Sequence, residues 1–204
     1  MSRVVAAVER ALDARQRDAV EEVEKILAAA LGVIELAAPA PPKVSDIVAA
    51  AGTSNAAFYR YFAGKDELLL AVMERGVALA ADYLEQQMAA EDEPAAKVAA
   101  WIEGALSQVG DPRRTARSRA VLSQFSATPD DQLTAPMRDL LVRPLTEMGS
   151  ADPERDADAV FTTIAGAISQ HTVSATEPAP ADVAHLVEFC LAAASDRCRA
   201  RNER

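Results

Sequence analysis

The chain has 204 residues and a formal net charge of −10, and half of its residues are hydrophobic. This length suits one large domain or two small ones, and the hydrophobic content excludes a chain that is disordered throughout. No stretch approaches the roughly 18 apolar residues of a membrane-spanning helix, and the apolar run before Glu9 is too short for a secretory signal, so we expect a cytoplasmic protein with no membrane partner.

A long first helix is predicted by apolar residues that recur three and four positions apart between Val23 and Ile34. We expect this helix to run from about Asp13 to Leu36. It should end at the cluster of prolines that follows, because proline cannot continue the hydrogen-bond ladder of a helix. These prolines are Pro39, Pro41 and Pro42.

Three further helices are predicted at short intervals. A helix of about two turns begins near Val44 and should stop at Gly52, since glycine readily takes the left-handed conformation that ends helices. Ser54 is a suitable N-cap for a third helix over Asn55–Tyr61. A fourth helix is expected to begin near Lys65.

The second half of the chain contains five more apolar stripes of helical period. The stripe around Met137–Leu141 should be kinked or split by Pro144. The last two stripes predict long helices over about Asp156–Ala175 and Ala181–Asp196. Alanine is abundant and aromatic residues are only 4% of the chain, which favours helix over strand. We therefore predict an all-α fold of about nine helices, with an N-terminal three-helix unit and a larger helical body.

Residues 43–62 have the layout of a helix-turn-helix, in which two short helices are joined by a tight turn that contains Gly52. Ile47, Val48 and Phe58 can pack the two helices against each other. The second helix then presents its N-terminal residues outward, and in this motif those residues enter the major groove of DNA.

The side chains predicted to face outward suit DNA. Asn55 can form a bidentate pair with adenine, and the small Ala56 and Ala57 allow close approach to thymine methyl groups. Tyr59 and Tyr61 offer hydroxyls to phosphates or base edges. The candidate DNA-contact residues are Lys43, Ser45, Ser54, Asn55, Ala56, Ala57, Tyr59, Arg60, Tyr61 and Lys65.

The distribution of charge is compatible with this interpretation although the chain is acidic. Residues 1–75 carry nine basic and eleven acidic side chains, whereas residues 76–204 carry twelve and twenty. Within residues 43–65 the basic side chains of Lys43, Arg60 and Lys65 oppose Asp46 alone. The sequence therefore predicts a small positive patch at the motif.

The run from Ile47 to Leu69, IVAAAGTSNAAFYRYFAGKDELL, resembles the signature of the TetR family of transcriptional regulators. That signature has an Ile-Ala-x-x-Ala-Gly-Val-Ser turn, an apolar-Tyr-x-His/Tyr-Phe helix end, and x-x-Lys-Asp/Glu-x-Leu. Departures from the family pattern include an unusual proline-rich link at residues 39–42. Lys43 stands where Ser or Thr commonly caps the second helix, Ser45 stands at an often basic position, and Thr53 replaces the common Val.

The resemblance implies a DNA-binding domain over residues 1–80 and a ligand-binding and dimerisation domain over residues 81–204. It implies a homodimer formed through the last two long helices, a double-stranded DNA operator, and a cavity in the body for a small-molecule effector. Candidate cavity residues, for which core packing is the alternative, are Trp101, Phe125, Met137, Phe161 and His171.

The function that this resemblance implies is a repressor released by its effector. An activator on the same fold and a helical adaptor that binds only proteins are the alternatives. No Gly-rich phosphate loop, nucleophile elbow or metal-binding spacing occurs, so we expect neither an enzyme nor a bound cofactor or metal ion.

Some reactive and charged residues are expected to have no special role. Cys190 should be a buried thiol and Cys198 an exposed one. His185 should lie at the surface or an interface. A second basic cluster is more consistent with a solvated helix face than with an anionic ligand or extra DNA contact. Its members are Arg113, Arg114, Arg117 and Arg119.

Overall fold

The computed structural model describes residues 3–109, 112–124 and 131–202, and within these ranges all regular secondary structure is helical. Ten helices lie in this part of the chain, which confirms the predicted all-α class. They are α1 (Arg3–Ala37), α2 (Val44–Ala51), α3 (Asn55–Tyr61), α4 (Lys65–Ala89), α5 (Pro94–Ser107), α6 (Pro112–Leu122), α7 (Asp131–Asp139), α8 (Val142–Glu147), α9 (Pro153–Ser174) and α10 (Pro180–Asn202).

The predicted start of the first helix is wrong. Helix α1 begins at Arg3 rather than near Asp13, because the intervening segment is rich in alanine and contains neither glycine nor proline. Its end agrees with the prediction, since the helix stops at Ala37, just before Pro39. Helices α2 and α3 have the predicted bounds.

The count of ten helices rather than nine arises at Pro144. The predicted helix there is two helices, α7 and α8, separated by Leu140 and Leu141. Pro144 has no N–H to donate to the carbonyl of Leu140, so a continuous ladder cannot pass through this point. At the end of the chain, α10 extends to Asn202, beyond the predicted limit at Asp196.

The described chain forms two compact units. The first comprises Met1–Met73 with Ala120–Gln124. In it α2 packs on α1 and α3 packs on α2. The rings of Phe58 and Phe62 lie 5.7 Å apart, and both side chains are buried. The buried apolar side chains of α1 and α2 in this unit include Ile26, Leu27, Ala30, Ile34, Ile47 and Val48.

The second unit comprises Glu74–Arg119 with Phe125–Arg204. Its core is centred on α5, which packs against α8, α9 and α10. The side chain of Trp101 is almost fully buried, and its indole Nε1–H donates to the carbonyl oxygen of Met137 at 3.0 Å. This bond satisfies the one polar group that the indole carries into the core.

None of the helices in the described ranges is both long and apolar enough to cross a membrane.

Candidate nucleic-acid interface

The turn between α2 and α3 has the geometry that its sequence predicts. Gly52 has a φ of 63° and a ψ of 32°, the left-handed conformation that a β-carbon would strain. Its N–H donates to the carbonyl of Ala49, and that of Thr53 to the carbonyl of Val48. These bonds close the C-terminal end of α2.

Ser54 caps α3 as predicted. Its backbone is extended, and its side-chain oxygen accepts from the N–H of Ala57 at 3.1 Å. The cap satisfies one of the N–H groups that a helix leaves free at its start. At the corresponding position of α2, Lys43 makes no such side-chain bond.

Helix α3 presents two different faces. Asn55, Ala56 and Tyr59 are exposed, and Tyr59 retains 59% of its accessible surface. On the opposite face Ala57 and Phe58 are buried. These exposed residues lie in the first turns of the helix. They are small or polar, which is the character that entry into the major groove requires.

Most of the predicted contact residues lie at the surface of this unit, with two half-buried exceptions and one buried one. The exposed ones are Lys43, Ser45, Ser54, Asn55, Ala56, Tyr59 and Arg60, and the half-buried ones are Tyr61 and Lys65.

The prediction that Ala57 faces DNA is wrong, because its side chain is only 5% exposed. Residues three and four positions apart lie on one face of a helix. Ala57 therefore shares its face with Tyr61, next to the face of Phe58 and Phe62, and its methyl group packs inside the unit. Of the two alanines, only Ala56 is exposed on the outer face of α3.

Tyr61 also differs from expectation, because its hydroxyl is engaged within the protein. It donates to Glu22 Oε2 on α1 at 2.9 Å. Glu22 Oε1 accepts from the hydroxyl of Thr53 at 3.2 Å, and Arg60 Nη1 lies 3.7 Å from Glu22 Oε2. One carboxylate thus contacts the turn and two consecutive residues of α3.

Glu22 and Thr53 were not among the predicted site residues. Glu22 is adjacent to the apolar stripe of α1 and reads as an ordinary solvated carboxylate in the sequence. Thr53 could be recognised only as a departure from the usual Val of the turn. The cluster becomes visible only once α1 and α3 are placed side by side, since the partners are 31 and 39 residues apart.

Lys65 is the first residue of α4, as predicted. The loop before it is held by Glu67, whose carboxylate accepts from the backbone N–H of Ala63 at 2.5 Å. The free N–H groups at a helix start favour an anion, and Lys65 adds a positive charge there. The contact of Lys65 with a phosphate stays a prediction.

Three of the five candidate cavity residues meet in the second unit. The rings of Trp101 and Phe161 lie 6.2 Å apart, and Met137 packs against the same core. His171 is elsewhere on α9, with its Nδ1 3.0 Å from Thr176 Oγ1. Phe125 lies outside the described residues. Their role in ligand binding stays a prediction.

The cysteine and arginine predictions can be compared with the structure where those residues are described. Cys190 is a buried free thiol, and burial raises its pKa. Arg117 and Arg119 are exposed, and Arg119 donates to the carbonyl of Thr172. The side chains of Arg113, Arg114 and Cys198 lie outside the described part of the chain. In the described part, no group of three or more His, Cys, Asp or Glu side chains could hold a metal ion.

A capped helix-turn-helix whose second helix faces outward is the geometry of the helix-turn-helix class of DNA-binding proteins. Residues 26–72 match the family model of bacterial regulatory proteins of the tetR family. Over these residues the chain is therefore similar to the DNA-binding segment of the TetR family of transcriptional regulators.

Solved structures with a similar fold come from several organisms. The fatty acid degradation regulator FadR of Bacillus halodurans is 18% identical, with a TM-score of 0.64 over 83% of this chain and 94% of that one. FadR of Bacillus subtilis, solved in complex with stearoyl-CoA, is 20% identical, with a TM-score of 0.62 over 85% and 98%. A TetR transcription regulator of Haloarcula marismortui is 20% identical, with a TM-score of 0.57 over 89% and 98%. No curated protein matches the chain significantly in sequence.

Proposed function

We propose that this DNA-binding regulator is a repressor, which a small-molecule effector releases from a roughly palindromic operator. The observation that carries the DNA half of the proposal is the outer face of α3, where Asn55, Ala56 and Tyr59 are exposed beside a Ser54 cap. Asn55 supplies a bidentate pair for adenine, and the methyl group of Ala56 supplies an apolar contact for thymine.

The proposed operator is palindromic because the proposed active form is a two-fold dimer. Two recognition helices that read successive major grooves on one side of DNA must lie about 34–36 Å apart. Residues 1–80 are proposed as the DNA-binding domain, and residues 81–204 as the domain for dimerisation and effector binding.

The outer faces of α9 and α10 support the dimer. Along α9 one exposed face has small or apolar side chains at intervals of three and four residues, namely Ala159, Thr162, Gly166, Ser169 and Val173. On α10 the corresponding exposed face includes Phe189, which retains 56% of its surface. Two such helices from each chain can pair as a four-helix interface about a two-fold axis.

The effector is proposed to bind in the second unit near Trp101, Met137 and Phe161, where the side chains are apolar and aromatic. Binding would favour a dimer whose recognition helices no longer match the groove spacing, so release is a shift of population set by differential affinity. Because FadR of Bacillus subtilis was solved with stearoyl-CoA, this acyl thioester is the first effector to test.

The test of the DNA contact is a salt titration of binding to the DNA upstream of the coding sequence. Lys65→Ala is expected to reduce the slope of log affinity against log salt by about 0.9, the value of one lost phosphate contact. Lys97→Ala, a lysine of α5 in the second unit, is the matched control and should leave the slope unchanged. An unchanged slope for Lys65→Ala would rule out the phosphate contact.

The same DNA distinguishes the alternatives. A protein-binding adaptor would show no preference for the upstream sequence over a scrambled one. An activator would bind the DNA equally well but raise rather than lower transcription of the adjacent gene in a reconstituted assay. A repressor lowers transcription, and its effector restores it.

A further inference from the structure

The carboxylate of Glu22 on α1 contacts both the turn and the recognition helix α3. Its two oxygens have separate partners. Oε1 accepts from Thr53, whereas Oε2 accepts from Tyr61 and faces Arg60. Two points of attachment on different segments fix the orientation of α3 about α1 more closely than apolar packing alone.

The same carboxylate lies beside a cation that could contact DNA. The side chain of Arg60 is 64% exposed, and its guanidinium lies 5.7 Å from the centre of the Tyr61 ring. A guanidinium has five donors, so one edge can face Glu22 while another faces a phosphate. The negative charge of Glu22 offsets part of the attraction that Arg60 exerts on any DNA backbone.

These two effects act on different kinds of binding. Affinity for DNA of arbitrary sequence is almost entirely a matter of phosphate charge, whereas operator recognition also needs the base contacts of a correctly oriented α3. A group that orients the helix and also reduces local positive charge raises the ratio of operator to non-operator affinity. We propose that Glu22 is a specificity-determining positioning residue of this kind, an inference that rests on the operator binding proposed above.

The first test separates charge from orientation. Glu22→Gln removes the charge, keeps one oxygen that can accept from a hydroxyl, and places an NH2 group that can donate to the oxygen of the other hydroxyl. Its affinity for non-operator DNA is expected to rise, with a salt slope steeper by about 0.9 if Arg60 gains one phosphate contact. The ratio of variant to wild-type affinity should then change by about 3.5-fold between 50 and 200 mM salt.

The matched control is Glu21→Gln. Glu21 is exposed, lines the same cleft beside the turn, and loses the same charge when substituted. It should raise affinity through the general field of the protein without a new contact, so its salt slope should equal that of the wild type. Equal slopes and equal specificity ratios for the two variants would overturn the inference.

The second test removes the hydroxyls and keeps the charge. Thr53→Val and Tyr61→Phe together are expected to lower operator affinity by about tenfold, because bonds to a charged acceptor are among the stronger hydrogen bonds. Affinity for non-operator DNA should fall much less than operator affinity, because the charges of Glu22 and Arg60 are unchanged. Helical content measured by circular dichroism checks that the variants fold, and an unchanged operator affinity in the folded double variant would contradict the orienting role.

The outcome for the wild type distinguishes this inference from the proposed function. If the wild-type protein shows no preference for the upstream DNA, the operator proposal fails and the inference fails with it. If the wild type is selective but Glu22→Gln behaves as Glu21→Gln does, only the role of Glu22 is overturned.

Discussion

Ser54 has two tasks at once, because it caps α3 and also lies at the surface proposed to meet DNA. Ser54→Ala removes the oxygen that accepts from Ala57, and the free energy of unfolding should fall by about 1 kcal/mol. Urea denaturation at fixed protein concentration measures this change.

The control for the cap is Ser45→Ala. Ser45 is exposed and its hydroxyl bonds only at 3.3 Å to its neighbour Asp46, so its loss should change stability by less than about 0.5 kcal/mol. A further variant, Ser54→Asp, retains a capping oxygen but places a negative charge at the DNA surface. It should keep its stability and lose affinity for DNA. A variant that failed to fold would lose both, so the two causes can be distinguished.

Cys190 should react slowly in the folded protein. The thiolate is the nucleophile in alkylation, and burial both raises the pKa of this thiol and restricts access to it. In a Cys198→Ser background, iodoacetamide at pH 8 is expected to modify the folded protein far more slowly than the protein in urea. A rate in the folded protein equal to that in urea would contradict the burial of Cys190.

At the scale of the helix, the two alanines of α3 offer a comparison of its two faces. Ala57→Leu forces three extra carbon atoms into a packed interior and should destabilise the first unit by about 1–3 kcal/mol. Ala56→Leu places the same atoms in solvent, so stability should change little while the larger side chain prevents close approach to the groove.

Thermal unfolding and DNA binding should therefore be measured on both variants, and the more stable variant should be the one that binds DNA more weakly. Ala57→Leu is expected to have the lower melting temperature, and Ala56→Leu the weaker binding at a temperature where both are folded. If Ala57→Leu were as stable as Ala56→Leu, the assignment of the inner face would be incorrect.

The elements of the motif could be predicted from the sequence because their signals are local. Gly52 and Ser54 fix the end of α2 and the start of α3 through bonds that span a few residues. The burial of Ala57 could not be predicted, because a helix of two turns shows too few apolar positions to define its inner face. The bond of Tyr61 to Glu22 could not be predicted for a related reason, since Glu22 belongs to a helix distant in sequence.

For the second unit, the sequence predicted where the helices lie but not how they pack. Apolar stripes located its helices, and Pro144 located a break, but the meeting of Trp101 with Met137 and Phe161 follows from how the helices pack. The start of α1 was missed because its first ten residues have exposed apolar side chains at Val5 and Val8, so no buried stripe marks them. Helix propensity alone extends the element there.

At the scale of the whole molecule, the proposed dimer requires a small residue at the position of Gly166. This glycine lies on the exposed face of α9, and a β-carbon there would meet no atom within 4 Å apart from its chain neighbours and the backbone of its own helix. Within one chain, Gly166→Gln should be harmless or stabilising by up to about 1 kcal/mol, because glutamine is the better helix former. Across a two-fold interface, however, the same side chain would hold the paired helices apart.

Gly166→Gln is therefore expected to raise the dimer dissociation constant by about tenfold or more, the effect of about 1–3 kcal/mol of overpacking. Gly76→Gln is the matched control, since Gly76 is an exposed helical glycine of α4 with equally open surroundings. Sedimentation equilibrium of both variants measures the difference. Because two half-sites must be held together, Gly166→Gln should also lose operator affinity at low protein concentration and regain it as the concentration rises. If Gly166→Gln and Gly76→Gln dimerised equally well, α9 would not lie at the interface and the spacing of the recognition helices would have to be set by another surface.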